Sequence, residues 1–208
     1  MTTREILLRT RSAMACLQAM DEAGKNAMLL AMADRLQEHR TDILRENAAD
    51  MEAARGHLSE GMLDRLLLNN DRIDAMAAGI RALTALPDHT GRTLSEVIRP
   101  NGMVIRKVQI PLGLIAIIYE SRPNVTSDAA ALALKSGNVC VLRSGKESIR
   151  SAAAIVAALK EGIAAVGADP EMLNLVRDTT RASAVELMQA TGLIDLLIPR
   201  GGAGLIRA

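Results

Sequence analysis

The chain has 208 residues, and its 25 lysine and arginine residues nearly balance its 24 aspartate and glutamate residues, which leaves a formal net charge of +1 at pH 7. This balance argues against a polybasic nucleic-acid face or a disordered acidic tail, and the absence of Phe and Trp argues against an aromatic platform for stacking bases. The length suits one ordinary domain or two small ones, with a core of Leu, Ile, Val, Met and Ala.

The cysteines and histidines do not predict a metal site. Cys16 and Cys140 have no partner at a metal-ligand spacing, and His39, His57 and His89 are spread through polar segments. Charged residues interrupt the N-terminal segment, and no apolar run approaches the roughly 18 residues of a membrane span. We therefore expect a soluble chain in the reducing cytoplasm, without a metal, a membrane or a nucleic acid as partner.

Apolar residues recur at helical spacing through the first part of the chain. Five helices are predicted, with two apolar stripes over 6–20 and 28–36 followed by helices over 43–54, 59–68 and 71–86. Thr41 or Asp42 is the expected N-cap of the third helix. We interpret residues 1–90 as a helical N-terminal cover and not as a chemical site.

Residues 94–110 alternate apolar and polar side chains on both sides of the turn sequence Pro100-Asn101-Gly102, which predicts a β-hairpin. Two interpretations remain open. The hairpin projects and pairs with another subunit, or it folds back on its own domain.

From residue 111 onward, short apolar runs alternate with helical segments. Strands are predicted over 114–118, 139–142, 172–176 and 193–198, with helices over 126–135, 147–165 and 181–190 between them. Because strands that alternate with helices form parallel sheets, the pattern predicts an α/β fold with a doubly wound, Rossmann-like sheet over residues 91–208.

Ligands of open α/β sheets lie beyond the carboxyl ends of the strands, and three polar or glycine-rich loops follow predicted strands there. Their sequences are YESRPN over 119–124, RSGKE over 143–147 and PRGGAG over 199–204. The second loop, with two cations and a glycine before a helix, favours an anion site. The alternative for the first loop is a plain strand-to-helix connection. For the second loop it is a pair of solvated cations, and for the third it is a simple turn of the chain.

Other chemistry is not supported by the residue pattern. A nucleotide-binding P-loop would need glycine at 140 and serine or threonine at 147, where the chain has Cys140 and Glu147. Cys140 lies inside an apolar strand and Cys16 lies in a helix without an adjacent base, so neither is expected to act as a nucleophile. The histidines all precede the α/β part, which argues against a Ser-His-Asp triad.

Long collinear motifs carry a resemblance to a known family. They read LSEGMLDRL over 58–66, VQIPLG over 108–113, IIYESRPNVT over 117–126, LKSGN over 134–138, VLRSGKE over 141–147 and LIPRGGAGL over 197–205. With these motifs the chain resembles the gamma-glutamyl phosphate reductase family of the aldehyde dehydrogenase superfamily, and the resemblance covers essentially its whole length.

The resemblance implies an aldehyde dehydrogenase-like fold and an activity. In this family a cysteine thiolate attacks gamma-glutamyl phosphate, phosphate leaves, and NADPH reduces the thioester to glutamate 5-semialdehyde, in the second step of proline biosynthesis. A projecting hairpin contributes to oligomerisation, so the resemblance also implies a homo-oligomer.

By position, the resemblance also implies the residues that meet the cofactor. They are Ser121, Arg122 and Pro123 beside the nicotinamide and the reacting carbonyl; Arg143, Ser144, Gly145 and Lys146 beside the adenosine ribose; and Gly201 and Gly202 near the pyrophosphate. The two cations of the second loop favour NADPH over NADH, although the acidic Glu147 lies beside them. Charge alone suggests that Arg122 meets a phosphate or carboxylate of the substrate.

The chain departs from the family at its end. It stops at Ala208, before the segment in which the family carries its catalytic cysteine, so we expect the catalytic cysteine domain to be absent and the chain alone to be unable to reduce gamma-glutamyl phosphate. Two interpretations follow: the cofactor-binding portion of a reductase, or a short protein that binds NADPH or oligomerises without catalysis.

Overall fold

The computed structural model describes residues 1–202, and six helices form its first part. Their bounds are α1 Thr3–Ser12, α2 Met14–Gln18, α3 Glu22–Glu38, α4 Arg40–Ala54, α5 Glu60–Leu66 and α6 Asn70–Ala82, with a 3₁₀ turn at Leu83–Ala85. The first predicted stripe is divided into α1 and α2 at Ala13. The expected N-cap at Thr41 or Asp42 is wrong, because His39 both ends α3 and precedes α4, which leaves no separate capping residue between them.

Local capping contacts explain where several of these helices begin. The Thr2 hydroxyl accepts the backbone N–H of Glu5, whose carboxylate accepts the N–H of Thr2 in return. Asp21 and Asn69 cap α3 and α6 through their side-chain oxygens. Each cap satisfies a backbone donor that the helix itself leaves free.

The hairpin stands away from the rest of the described chain. Strands β1 (Thr93–Ile98) and β2 (Val104–Val108) pair antiparallel, and the turn closes where the Gly102 N–H donates to the Arg99 carbonyl at 2.8 Å. Every residue of both strands is exposed, including the apolar side chains of Ile98 and Ile105. The hairpin therefore does not fold back on its own domain.

A four-stranded parallel sheet forms the second part. Its strands are β3 Leu114–Tyr119, β4 Val139–Arg143, β5 Leu173–Leu175 and β6 Leu196–Arg200, and the helices between them are α7 Pro123–Lys135, α8 Ile149–Ala165 and α9 Arg181–Gln189. The strand order is β5-β4-β3-β6, with short 3₁₀ turns at Lys146–Ser148 and Pro170–Met172. Helices α7 and α8 pack together, while α1 packs on β4 and β5 beside α9, so the sheet is covered as a doubly wound fold requires.

In the second part of the chain, two elements begin three residues away from their predicted starts. Helix α7 begins at Pro123, three residues early, because the fixed φ of proline suits the first helical position and its missing N–H costs nothing there. Strand β6 begins at Leu196, because the preceding residues turn with the Ile194 N–H donating to the Ala190 carbonyl. The strand accommodates Pro199, since β6 pairs on one side alone within the described part of the sheet.

One continuous hydrophobic core joins the N-terminal helices to the sheet. The longest helices, α3 and α8, cross inside it, with Met32 of α3 fully buried. A polar contact supplements this packing where the Asp50 carboxylate of α4 accepts the backbone N–H and the hydroxyl of Ser151, at 2.8 and 2.6 Å. No helix within residues 1–202 combines the length and apolar character needed to cross a membrane.

Candidate functional site

The strand order creates a switch point between β3 and β6. The chain runs from β3 outward to β4 and β5 and then returns to the other side of β3, so the direction of the strand order reverses there. A cleft of about 400 Å³ opens at this carboxyl edge. It is lined by Met62, Arg65, Glu120, Ser121, Arg122, Arg143, Gly145, Lys146, Glu147 and Thr179.

The loops after β3 and β4 meet in this cleft. The Ser121 hydroxyl donates to the Glu147 carboxylate at 2.9 Å. A Cβ atom added to Gly145 would lie 2.9 Å from that carboxylate and 3.4 Å from the Ser121 backbone nitrogen. A side chain at position 145 would therefore displace the contact between the two loops, and the glycine lets them approach.

Arg143 is held by the neighbouring loop. One terminal nitrogen donates to the carbonyls of Thr179 and Thr180, at 2.7 and 2.9 Å. Burial lowers the pKa of Arg143, while the carboxylates of Asp178 and Glu147 oppose this shift. Its Nε atom is buried without a hydrogen-bond partner in the described part of the chain. Arg143 thus joins the loops after β4 and β5, and its buried Nε–H donor has no partner in the described residues.

The remaining residues predicted from the β3 and β4 loops occupy different depths. Lys146 and Arg122 are exposed at the cleft, and Arg122 immediately precedes α7. Ser144 is fully buried, and its hydroxyl has no partner within residues 1–202. Pro123 is buried in the first turn of α7 and does not line the cleft. The structure therefore brings Ser121, Arg122, Arg143, Gly145 and Lys146 to one cleft.

The glycine-rich loop after β6 reaches the rim through a backbone contact. The Gly202 N–H donates to the Glu120 carboxylate at 3.0 Å, across the β3–β6 switch point. Gly201 and Gly202 are exposed there, but neither lines the cleft. Ala203 and Gly204 of the predicted loop lie outside the described residues.

The residue pattern alone missed the contribution of the N-terminal helices. Met62 and Arg65 of α5 line the cleft, whereas the helical spacing of this segment predicts only a cover. Their spacing of three residues places both on one helical face. The signal was the LSEGMLDRL motif, which carried the family resemblance without indicating a position near the other loops.

The charges of the cleft favour an anionic ligand. Four cationic side chains line it, from Arg65, Arg122, Arg143 and Lys146, against the carboxylates of Glu120 and Glu147. Arginine and lysine side chains are suited to phosphate groups. The cleft can thus hold a phosphorylated ligand at the carboxyl edge of the sheet.

Neither cysteine belongs to this cleft, and the two differ in their environment. Cys140 is fully buried in β4, and burial raises the pKa of its thiol to about 12. Cys16 is partly exposed on α2. Because the thiolate is the reactive form, Cys140 has neither the exposure nor the ionisation of a nucleophile.

We expect the native chain to react with iodoacetamide at Cys16 and to leave Cys140 unmodified at pH 8. The chain unfolded in urea should react at both sites with similar rates, because unfolding removes the burial that protects Cys140. Peptide mass spectrometry after timed quenching measures the two rates. Comparable native rates at the two sites would contradict the buried position of Cys140.

Comparison with known proteins identifies the family. The model of the aldehyde dehydrogenase family matches residues 3–198. Gamma-glutamyl phosphate reductase of Streptococcus suis (strain 05ZYH33) is 56% identical over 209 residues, covering 100% of this chain and 51% of the relative. The reductase of Neisseria meningitidis serogroup C (strain 053442) is 55% identical over 206 residues, covering 99% of this chain and 49% of the relative. The chain spans about half the length of these curated relatives.

Solved structures agree with the sequence comparison. The crystal structure of gamma-glutamyl phosphate reductase from Thermotoga maritima matches with a TM-score of 0.97 at 36% identity, covering 100% of this chain and 50% of that one. The Saccharomyces cerevisiae reductase matches with a TM-score of 0.89 at 28% identity, covering 100% and 53%. The resemblance and the fold class predicted from the sequence are confirmed, and the chain belongs to the aldehyde dehydrogenase family.

Proposed function

We propose that this chain is the cofactor-binding portion of an enzyme that reduces gamma-glutamyl phosphate to glutamate 5-semialdehyde and phosphate, in proline biosynthesis. The cationic cleft at the carboxyl edge of the sheet carries this proposal, because it offers donors for phosphate groups where α/β sheets bind their ligands. The high identity to curated reductases supports the choice of substrate.

The donor set of the cleft fits a phosphorylated dinucleotide. Arg143 lines the cleft and retains a buried Nε–H donor without a partner in the described residues, and Gly145 lets the loops after β3 and β4 approach each other there. Lys146 is the exposed cation of this loop and is positioned to meet a 2′-phosphate. When bound, NADPH supplies the hydride for the reduction, while Ser121 and Arg122 orient the nicotinamide end of the cofactor.

The nucleophile of the reaction is not one of the two cysteines of this sequence. Cys140 is buried in β4, and Cys16 lies outside the cleft. We therefore propose that the 208-residue chain binds NADPH but does not turn over gamma-glutamyl phosphate by itself. Titration of the chain into NADPH, followed by cofactor fluorescence, tests the first statement, and a phosphate-release assay with freshly generated substrate tests the second. A lack of NADPH binding would refute the first statement, and turnover of gamma-glutamyl phosphate by the pure chain would refute the second.

Lys146 offers the sharpest test of the choice of cofactor. We expect Lys146→Met to weaken NADPH binding about tenfold and NADH binding much less, because a charge-assisted contact to phosphate contributes roughly 1.5–3 kcal/mol. Fluorescence titrations with both cofactors measure the ratio. Arg4→Met, on the exposed face of α1, is the matched control and should change neither affinity. Equal losses for NADPH and NADH would remove Lys146 from the 2′-phosphate.

The exposed hairpin favours a second role in assembly, and we propose that β1 and β2 pair with another copy of this chain. Apolar side chains cover both faces of the ribbon, with Val97 and Ile105 paired across it. We expect the Ile105→Lys variant to lower the oligomer mass measured by light scattering, while Lys107→Arg on the same face leaves the mass unchanged. An oligomer that tolerates Ile105→Lys would exclude this interface.

A further inference from the structure

A second cavity adjoins the cofactor cleft. It has a volume of about 370 Å³ and lies between helices α5 and α6 and the beginning of α7. Its lining residues are Asp64, Arg65, Leu67, Leu68, Arg72, Ala75, Met76, Arg122, Asn124 and Asp128. Arg65 and Arg122 line both this cavity and the cleft. A ligand that occupies the cofactor cleft therefore has a neighbouring volume within reach.

Two of the charged groups in this cavity neutralise each other. Arg72 donates to the Asp64 carboxylate at 2.7 Å and to the Leu67 carbonyl at 2.7 Å, so its charge and two of its donors are engaged. This ion pair fixes the end of α5 to the start of α6. It leaves the cavity's other charges to be satisfied by something else.

The unmatched charges are one carboxylate and two guanidinium groups. Asp128 is partly buried on α7 and accepts a hydrogen bond from the Asn124 amide at 3.3 Å, and within residues 1–202 it makes no ion pair. Burial raises the pKa of Asp128, against the opposing effects of Asn124 and Arg200. Over the same residues, neither Arg65 nor Arg122 forms an ion pair. Asp128 is the partly buried group of the three, whereas Arg65 and Arg122 are exposed. A ligand ammonium group would offset the cost of burying the Asp128 carboxylate, and a ligand carboxylate would find the two guanidinium groups accessible at the rim.

The floor of the cavity is apolar. Leu68 and Met76 are 5% and 4% exposed, so their side chains offer a dry surface beside the charged groups. A short chain of methylene groups fits such a surface, with its polar ends at the charged rim. The cavity thus combines one anionic position, two cationic positions and an apolar contact.

We propose that this cavity binds the amino-acid end of the substrate, with Asp128 accepting the α-ammonium group and Arg65 and Arg122 holding the α-carboxylate. The methylene groups would lie on Leu68 and Met76, and the acyl phosphate would point toward the cofactor cleft. The inference rests on the proposed function for the identity of the substrate, and it assigns the groups that distinguish a glutamyl compound from other acyl phosphates.

Three stable compounds separate the contributions of the two charged ends. L-glutamate carries both α-groups, glutarate lacks the ammonium group, and 4-aminobutyrate lacks the α-carboxylate. We expect the 208-residue chain to bind L-glutamate at least tenfold more tightly than either analogue, measured by ligand-observed NMR titration. Asp128→Asn should reduce the preference for L-glutamate over glutarate to less than twofold. Arg122→Gln should reduce the preference for L-glutamate over 4-aminobutyrate in the same way.

The controls distinguish this inference from the proposed function. Asp71→Asn, on an exposed position of α6 outside the cavity, should retain both preferences. Equal affinity of the parent chain for the three compounds, or a preference for L-glutamate that survives Asp128→Asn, would overturn the inference.

The NADPH titration of the parent chain is a separate measurement. NADPH binding without discrimination among the three compounds would reject the amino-acid pocket and leave the cofactor cleft intact. Discrimination without NADPH binding supports the pocket and rejects the cofactor assignment.

Discussion

Replacing Gly162 with alanine is expected to destabilise the chain by about 3 kcal/mol, because the added methyl group has no space at the crossing of α3 and α8. A Cβ atom at this position would lie 2.5 Å from the Met32 Cα atom and 2.6 Å from its nitrogen. These neighbours are backbone atoms of a buried helix, so rotation of a side chain cannot relieve the contact. Urea unfolding followed by circular dichroism measures the change in the free energy of unfolding.

Gly79 provides the matched control for this substitution. It also lies within a helix, α6, but its position is exposed and a Cβ atom there would meet nothing within 4 Å. Because alanine favours a helix over glycine by roughly 0.5–1 kcal/mol, Gly79→Ala should stabilise the chain by about that amount. A Gly162→Ala variant as stable as the parent would show that α3 and α8 do not cross this closely.

Removal of the Asp88 carboxylate is expected to cost about 3–5 kcal/mol, because it leaves the buried Lys25 ammonium without its counter-ion. The Lys25 side chain is 2% exposed, and its Nζ atom lies 2.7 Å from the Asp88 carboxylate. Thr90 contributes a second contact to Nζ at 3.3 Å. The pair joins the first turns of α3 to the segment that enters the hairpin, so Asp88→Ala should loosen both the core and the base of the hairpin.

A double-mutant cycle separates the interaction from the burial of each charge. Lys25→Met combined with Asp88→Ala removes both charges and should recover most of the stability lost in Asp88→Ala, as replacement of a buried pair by apolar groups often does. The exposed pair of Arg35 and Glu38 is the control, and Glu38→Ala should cost less than about 1 kcal/mol. A loss for Asp88→Ala no larger than the loss for Glu38→Ala would refute the buried ion pair.

The same pair predicts a dependence on pH. Burial by itself would raise the pKa of Asp88, but hydrogen bonds from Lys25 and Thr90 outweigh burial and hold the pKa below its ordinary value of 3.8. The folded state therefore binds this proton less readily than the unfolded state. The contribution of Asp88 is present above pH 3.8 and is lost as the pH falls through the lower, folded-state pKa. The stability difference between the parent and Asp88→Ala should accordingly shrink in acid.

Much of the fold was predictable because it depends on local chain properties. The helical spacing around Met28 and Leu36, the turn at Asn101-Gly102 and the short apolar runs of the sheet each restrict the backbone through neighbouring residues alone. The predicted ends of elements are less accurate than their existence: α7 begins earlier than predicted, at Pro123, and β6 begins later, at Leu196. Hydrogen bonds to residues that are distant in sequence determine such ends, as when the Asp195 N–H donates to the Leu114 carbonyl before β6.

The candidate site was predictable in part for the same reason. Loops after parallel strands meet at one edge of the sheet, so the sequence alone places Ser121 and Lys146 close together. Arg65 could not be placed there, since its helix precedes the sheet in the chain and its position depends on how α5 packs. The engagement of Arg143 by Thr179 and Thr180 was equally hidden, because a sequence position does not show whether a cation faces a ligand or a neighbouring loop.

The sequence by itself determined the family, the α/β class and the three loops at the carboxyl edge, since motifs and spacing act along the chain and require no knowledge of distant contacts. Tertiary structure alone decided that Gly162 meets the backbone of Met32, that Lys25 is buried against Asp88, and that Arg65 and Arg122 share two cavities. These features arise where segments far apart in the chain are packed together. The burial and charge of a side chain there depend on partners that its own neighbours in sequence do not specify.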